Sequence, residues 1–230
     1  MKQPLKCCIA YNTYGGYCVP LSSRHRPAAQ KILAGEIWEP ETIDFLRLHC
    51  EEGDVVHAGA FFGDFLPALS RSCALEAKVW AFEPNPENYR CALITAHING
   101  LDNIELMNAG LGERQAFLPM VTVGANGRSL GGGSRIAETS CSSRQEGSIN
   151  VKMVTIDEIV PCDRKVSIIQ LDVERFEKPA LTGALMTIQR SKPIIILETW
   201  PEEPWLSKNI LPLGYRIAGN VHGNTILRNG

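Results

Sequence analysis

The sequence predicts an α/β fold: a seven-stranded, mostly parallel sheet with helices on both faces and a C-terminal antiparallel hairpin. Three observations point there. A short apolar run, Val55-Val56, stops at a glycine turn, Gly59 to Gly63, that leads into the helix-like stretch Asp64–Arg71. About twenty residues further on, a second apolar run, Val79–Phe82, ends on the acidic Glu83. Further apolar runs then alternate with helix-length segments as far as Leu197.

Residues 1–37 read as an extension packed on the main domain, residues 38–230. Within the extension, Y-N-T-Y-G-G-Y-C-V-P predicts a hairpin turning at Gly15-Gly16, followed by the basic loop Ser22–Pro27. Glu41–Cys50 is expected as a helix entering after Pro40, with Ile43, Leu46 and Cys50 on one face. Parallel strands are expected at Val55–His57, Val79–Phe82, Ile104–Met107, Val166–Leu171 and Ile194–Leu197, separated by helices that include Glu87–Asn99 and Lys178–Arg190. Pro193 marks the turn into the last of these. Tyr215–Ala218 and Thr225–Leu227 flank G-N-V-H-G-N and read as the closing hairpin. One stretch interrupts the alternation. Residues 111–150 are rich in Gly, Ser and Arg, and an insertion this long is either a functional lid or a solvated loop. Gln115–Val123 and Ile149–Ile156 could pair as two strands framing it.

Composition excludes several classes. A chain of 230 residues, 44% hydrophobic and 21% charged, is long and apolar enough for one α/β domain with a sizeable core. The net charge of −2 gives no pull toward nucleic acid or anionic membrane. No apolar run approaches the roughly 18–20 residues that span a bilayer. The start, M-K-Q-P-L-K-C-C, lacks the apolar core of a signal peptide, so a cytoplasmic chain without membrane insertion is expected. Eight cysteines stand without a C-x-x-C pair or ordered His/Cys spacing, which favours scattered reduced thiols over a disulfide framework or zinc site.

The glycine spacing bears on the ligand. A dinucleotide fingerprint needs G-x-G-x-x-G, its third glycine seating a pyrophosphate on the helix start. Here only Gly59 and Gly63 are present, with two phenylalanines between. That looser loop suits a ligand without phosphate, of which S-adenosylmethionine is the common case. In an open α/β sheet ligands bind beyond the carboxyl ends of the strands. Those ends carry His57, Glu83, Asn108, Asp172 and Glu198, and His222 joins them if Tyr215–Ala218 runs parallel to the rest. Glu83 could accept hydrogen bonds from two ribose hydroxyls or cap the next helix. Asn108 could border an adenine or serve a turn. Asp172, Glu174 and Glu177 follow the fourth strand, where neighbouring carboxylates repel unless solvated, paired with arginine or bonded to amides. One of them could act as a base, or Arg175 could neutralise them. His222 has the pKa range of a general base, though a lone histidine in a turn is more often simply exposed. Arg128 and Arg135 could clamp an acceptor's phosphate or carboxylate, or be ordinary solvated charges.

Taken together, W-E-P-E-T-I-D-F-L, G-D-V-V-H-A-G-A-F-F-G-D-F, A-F-E-P-N-P-E-N-Y, N-G-L-D-N-I-E-L, T-I-D-E, I-I-Q-L-D-V-E-R-F-E and P-I-I-I-L-E resemble the FkbM family of methyltransferases over about residues 38–200. The motifs are individually loose and specific in their order. The resemblance implies a Rossmann-like class I methyltransferase fold, S-adenosylmethionine as donor with S-adenosylhomocysteine as product, and O-methyl transfer to a sugar, glycolipid, lipo-oligosaccharide or secondary metabolite. It places the methionine part on Gly59–Gly63, the ribose on Glu83 and the cofactor–substrate junction at Asp172. The chain departs from the pattern at His57, where the family has an acid, at Phe61-Phe62 in place of Asn-Ile, and at Arg175 in place of glycine.

The expected cofactor contacts are therefore His57, Gly59, Phe61, Gly63, Glu83, Pro84, Asn108 and Asp172. Arg135, Arg175 and Glu198 are expected at the acceptor, and His222, Asp172 and Glu174 are the candidate catalytic groups. No metal is expected. The acceptor is a small molecule or glycan rather than nucleic acid, and Trp200–Trp205 offers an apolar edge for a second subunit of a homodimer. Two other readings stay open: a nicotinamide-dependent oxidoreductase, which would share the first two strands, and a non-catalytic binding module on a methyltransferase fold.

Overall fold

The computed structural model describes residues 4–50, 53–137 and 147–230; Cys141 lies outside them. The chain begins with a hairpin, β1 (Cys7–Asn12) and β2 (Gly15–Pro20), then α1 (Pro27–Leu33) and α2 (Pro40–His49). The first β-α-β unit follows as β3 (Asp54–Ala58), α3 (Leu66–Ser70) and β4 (Val79–Phe82), continued by α4 (Pro86–Ile98) and β5 (Ile104–Met107). Next come β6 (Gly110–Leu111), β7 (Ala116–Val121), β8 (Arg135–Ile136) and β9 (Ser148–Val154), and then α5 (Ile156–Ile159). The chain closes through β10 (Val166–Leu171), α6 (Glu177–Thr182), α7 (Leu185–Ser191), β11 (Ile194–Leu197), α8 (Glu203–Asn209), β12 (Tyr215–Val221) and β13 (Asn224–Asn229).

The main sheet has seven strands in the order β12-β13-β11-β10-β3-β4-β5. Strands β11, β10, β3, β4 and β5 are parallel, while β13 runs antiparallel to both of its neighbours. Two reversals leave β12 parallel to the others, so the β12–β13 turn lies at their carboxyl edge. The central strands are apolar throughout because both faces are covered. Val56, Ala58, Trp80, Phe82, Ile169 and Leu171 pack toward Ile156, Leu181 and Ile188 of α5–α7. Their alternates Val55, Val79, Ala81 and Ile168 meet Ile43, Leu46, Leu66, Leu69, Ala92 and Ala96 of α2–α4. Each large side chain so buried contributes about 1.5–3 kcal/mol.

Several elements differ from the sequence expectation. The N-terminal hairpin turns at Thr13-Tyr14, where the Asn12 side chain accepts the Tyr14 amide at 2.8 Å. Gly15 and Gly16 sit in β2, and a Cβ on Gly15 would lie 2.0 Å from Asn99 Oδ1 at the end of α4. These glycines therefore serve close approach rather than the turn. The single helix expected over 178–190 is two. Gly183 allows the Gly112 carbonyl to come within 2.1 Å of where its Cβ would stand. Asp157 then starts α7 afresh, accepting the amides of Met186 and Thr187 at 3.0 and 2.8 Å. The 111–150 stretch builds a second sheet, β6-β9-β7-β8, in which β7 and β9 pair antiparallel as the sequence suggested. Trp200 and Trp205 are half-buried against the main core around α8, so much of that apolar edge is used within the chain. Among the described residues no helix is long and apolar enough to cross a membrane.

The amino edge of the sheet is tied by one carboxylate. Asp54 opens β3, is 1% exposed, and accepts from the Lys78 amide at 2.9 Å and Trp80 Nε1 at 2.7 Å. The Arg164 guanidinium forks onto the same carboxylate. These partners hold the Asp54 carboxyl below its ordinary pKa although burial opposes them. Asp54→Ala would strand the Trp80 donor and the Arg164 charge. We expect a loss of about 3–5 kcal/mol in urea unfolding, with ligand binding at the opposite edge unchanged in the fraction that remains folded.

Candidate active site

The parallel strands end in register. Met107 pairs with Phe82, Phe82 with Ala58, Ala58 with Leu171, and Leu171 with Leu197, forming one row across the sheet. The next residue on each strand leaves the sheet at the same level: Asn108, Glu83, Gly59, Asp172 and Glu198. Gly59 must be glycine, since its φ is +90° and a Cβ would lie 2.0 Å from the Asp172 carbonyl oxygen. Gly63, at φ +84°, closes the same turn with its amide on the Ala60 carbonyl at 2.6 Å. Phe61 between them is also left-handed, at φ 45°.

Ala58, Gly59, Phe82, Glu83, Pro84 and Asp172 line a narrow cavity of about 40 Å³ at this edge. Its far wall comes from the insertion, with Gly132, Ser134 and Ile136 lying over it. This cover is latched to the start of α4. Asn88 Nδ2 donates to the Gly131 carbonyl at 3.2 Å, and Ser134 Oγ donates to the same oxygen at 2.7 Å. The Phe61 ring lies beneath Gly132. Ligand sites of nucleoside size usually need about 300 Å³ or more. The cover must therefore move outward for such a ligand to enter.

Glu83 is 3% exposed and binds the Asn85 amide through Oε1 at 2.8 Å, while Asn85 itself caps α4. Asn85 rather than Glu83 is therefore the cap of the helix; Glu83 fixes that cap through its amide and lines the cavity. Burial pushes its pKa up to about 8, against the Asn85 and Phe61 amides and the Asn88 side chain, which act in the other direction. Asn108 is exposed and does not line the cavity. Its Nδ2 donates to the Glu83 and Pro84 carbonyls at 2.9 and 3.0 Å, fixing the loop that carries Glu83.

On the other side, carboxylate oxygens of Asp172, Glu174 and Glu198 lie within 4.8 Å of one another. That spacing can share a proton or hold a cation. Asp172 is raised well above its ordinary pKa, first by burial and then by the charge and hydrogen bond of Glu198. Glu174 is also raised by burial and Glu198, while Arg26, Arg135 and Arg175 lower it. Arg135 and Arg175 are thus drawn to the same carboxylate, and Arg26 from the loop before α1 joins them beside Gly133. Sequence reading missed Arg26; its one signal was the basic run Ser22–Pro27. Glu174 and Arg175 are successive left-handed residues, at φ 53° and 72°. This is the position at which the resemblance called for glycine. The buried Glu177 stands behind them, its pKa pushed up to about 7 by burial despite the Val173 and Arg175 amides. Asp64, buried after the glycine turn and likewise raised to about 7 by burial, was not singled out from the sequence.

The two histidines are placed apart from this cavity. His57 faces the α2–α4 side of the sheet, stacked on Phe65 at 5.4 Å, and its Nδ1 donates to Gln170 Oε1 on β10. Burial drives its pKa down to about 4, so it is neutral near pH 7. It shapes the strand beneath Gly59 without lining the cavity. His222, in the β12–β13 turn, lies at the carboxyl edge but beside Glu41, 3.4 Å away, in a second cavity.

Residues 57–215 match the methyltransferase FkbM domain. The chain belongs to the FkbM methyltransferase family. The family match sets aside the nicotinamide reading, and the order of the sheet agrees with it. An FkbM methyltransferase from Methylobacillus flagellatus KT has a similar structure, with a TM-score of 0.52 at 21% identity over 76% of this chain and 43% of that one. The chain thus spans less than half the length of that neighbour, and the likeness is one of fold. A methyltransferase from Geobacter sulfurreducens aligns over 89% of this chain and 83% of its own, at 16% identity and a TM-score of 0.49. No curated protein matches the chain.

Two outcomes follow from this geometry. The Glu83 pKa is raised on folding, so its stabilising effect is full below about pH 4.5 and is lost as pH rises through about 8. Glu83→Gln should therefore reduce the fall in unfolding free energy between pH 5 and 8 by on the order of 3 kcal/mol in denaturant titrations. At Arg175 the left-handed backbone costs roughly 1–2 kcal/mol, partly offset by the larger chain entropy of glycine. Arg175→Gly should raise stability by up to about 1 kcal/mol and shift the thermal midpoint upward.

Proposed function

We propose that the protein transfers a methyl group from S-adenosylmethionine to a hydroxyl oxygen of a sugar, glycolipid or secondary metabolite. The observation that carries this reading is the common row of strand ends, which gathers Gly59, Glu83 and Asp172 around one cavity. The residues fit the cofactor. Gly59 brings bare backbone to the cavity wall, Glu83 offers a buried acceptor for ribose hydroxyls, and Pro84 with Leu111 provides apolar wall. S-adenosylmethionine, when bound, supplies an electrophilic methyl group on sulfur.

The work left to the protein is alignment, dehydration and removal of a proton. Well-oriented groups can supply roughly 7–11 kcal/mol of a barrier. The Gly131–Ile136 cover, latched through Asn88, shuts bulk water from the cavity. Asp172 is hydrogen-bonded to Glu198 at the mouth, and burial together with the Glu198 charge raises the proton affinity of Asp172. One of this pair can take the acceptor proton as the new bond forms, for roughly 10²–10⁴-fold. Glu174, near the charges of Arg26, Arg135 and Arg175, positions the acceptor.

Calorimetric titration with S-adenosylmethionine and S-adenosylhomocysteine tests the reading. Micromolar binding is expected, weakened about 10–100-fold in Glu83→Ala through loss of hydrogen bonds to a charged or polar partner. Absence of binding by either ligand, or equal binding in the variant, would favour a non-catalytic role for the fold.

A further inference from the structure

Cysteines that look scattered in the sequence are gathered by the fold. Cys7 and Cys18 belong to the N-terminal hairpin and Cys91 to α4, and all three pack in one apolar cluster with Tyr17, Val19 and Phe62. Two contacts set their placement. Cys18 pairs with Ile9 across the hairpin, which puts Cys7 diagonal to it on the same face. The Cys18 amide donates to Thr95 Oγ1 at 2.9 Å, and Cys91 stands four residues before Thr95, on the same stripe of α4. The Cys18 sulfur thus lies between two thiols and is hydrogen-bonded to those of Cys91 and Cys7.

The three sulfurs are not equivalent. The Cys91 thiol, and after it the Cys7 thiol, bring the Cys18 pKa down to about 7 against the effect of burial. The bond to Cys18 and burial push Cys91 up, and burial first of all pushes half-buried Cys7 up to about 11. Cys18 is therefore the sulfur that is partly thiolate near neutral pH, and so the nucleophile of the group. Geometry chooses its partner. Diagonal residues across a hairpin stand about 7–8 Å apart, beyond the roughly 4.4–6.8 Å between Cα atoms that a disulfide bridges. Cys91 approaches from a separate element and is free of that constraint.

We propose that Cys18 and Cys91 are a reversible dithiol, which a hydroperoxide oxidises to a disulfide joining the N-terminal hairpin to α4. The Cys18 sulfur attacks the O–O bond of hydrogen peroxide, becoming a sulfenic acid and releasing one water. The Cys91 sulfur then displaces the hydroxyl from Cys18 as a second water, and the S–S bond forms. The two thiol hydrogens leave in the two waters, and two electrons pass to the peroxide. Half-buried Cys7 marks the side from which so small an oxidant reaches buried Cys18. The covalent ring encloses the glycine turn and Glu83. It fixes α4 next to Asn88, which latches the cover, and next to Thr95, whose Oγ1 donates to the Phe62 carbonyl at 2.8 Å. Oxidation thereby stiffens the wall of the first cavity without changing a group that lines it.

Peptide mapping of the full chain after hydrogen peroxide treatment, with the remaining thiols alkylated, tests the proposal. A Cys18–Cys91 crosslink is expected, reversed by dithiothreitol. The thermal midpoint of the oxidised chain should rise by roughly 5–10 °C and fall back on reduction. Cys91→Ala should abolish both the crosslink and the shift, while Cys162→Ser, at an exposed thiol, should leave both in place. Mapping of the unmodified sequence decides the matter even where Cys91→Ala does not fold. Absence of a crosslink, pairing of Cys18 with Cys7, a crosslink confined to Cys50 and Cys73, or a Cys18–Cys91 bond that leaves the midpoint unmoved would each overturn it.

Discussion

Everything functional in this molecule depends on the register of five parallel strands. Had β10 slipped by one residue against β3, Asp172 would leave the sheet on the opposite face from Gly59, and the cavity would lose one wall. Register is fixed by the apolar alternation on two buried faces: Val56 and Ala58 belong to one core, Val55 to the other. It is fixed again at the amino edge, where Asp54 binds the start of β4 and the loop before β10 together. A carboxylate at the far end of the strands thereby sets the level at which chemistry can happen at the near end.

The site concentrates groups that the rest of the fold would reject. Glu83, Asp64, Asp172 and Glu177 are all held above their ordinary pKa by burial. Each therefore favours the folded state when protonated and opposes it as pH rises. His57 works in the other sense. Its lowered pKa makes the folded state lose ground between about pH 6.5 and 4, because the unfolded chain takes up the proton first. The molecule is thus squeezed from both directions, and both pressures come from the layer directly under and around the cavity. Buried polar groups of this density are more consistent with binding than with packing.

Much of the fold was legible because long apolar runs with glycine and proline punctuation admit few arrangements. The five parallel strands, the closing hairpin and the pairing of β7 with β9 follow from alternation and turn chemistry alone. The break at Gly183 was not legible, because it depends on Gly112 and Asp157, residues distant in the chain. The turn at Thr13-Tyr14 was hidden for a similar reason: Gly15 answers to Asn99 rather than to its own neighbours. At the site, residues following strand ends could be named, since a strand's end is a local property. Which way His57 faces, and which carboxylate Arg26 approaches, depends on side-chain direction and on loops crossing from elsewhere. Neither is written in any short window of sequence.

The left-handed pair Glu174-Arg175 joins these threads. A strained backbone persists only where its surroundings determine it, and here the Val173 and Arg175 amides face the buried carboxyl of Glu177. The strain turns Glu174 back toward Asp172 and Glu198 and leaves the Arg175 side chain exposed beside them. With glycine at 175 the same turn would form at lower cost, but one of three cations acting on Glu174 would be gone. The arginine thus exchanges some stability for charge balance at the mouth of the site. Without it, repulsion within the carboxylate triad would rise, and Glu174 would hold a proton more tightly. A base must release its proton readily enough to be ionised at working pH. Arg175 therefore bears on reactivity through the carboxylates, even where it touches no acceptor.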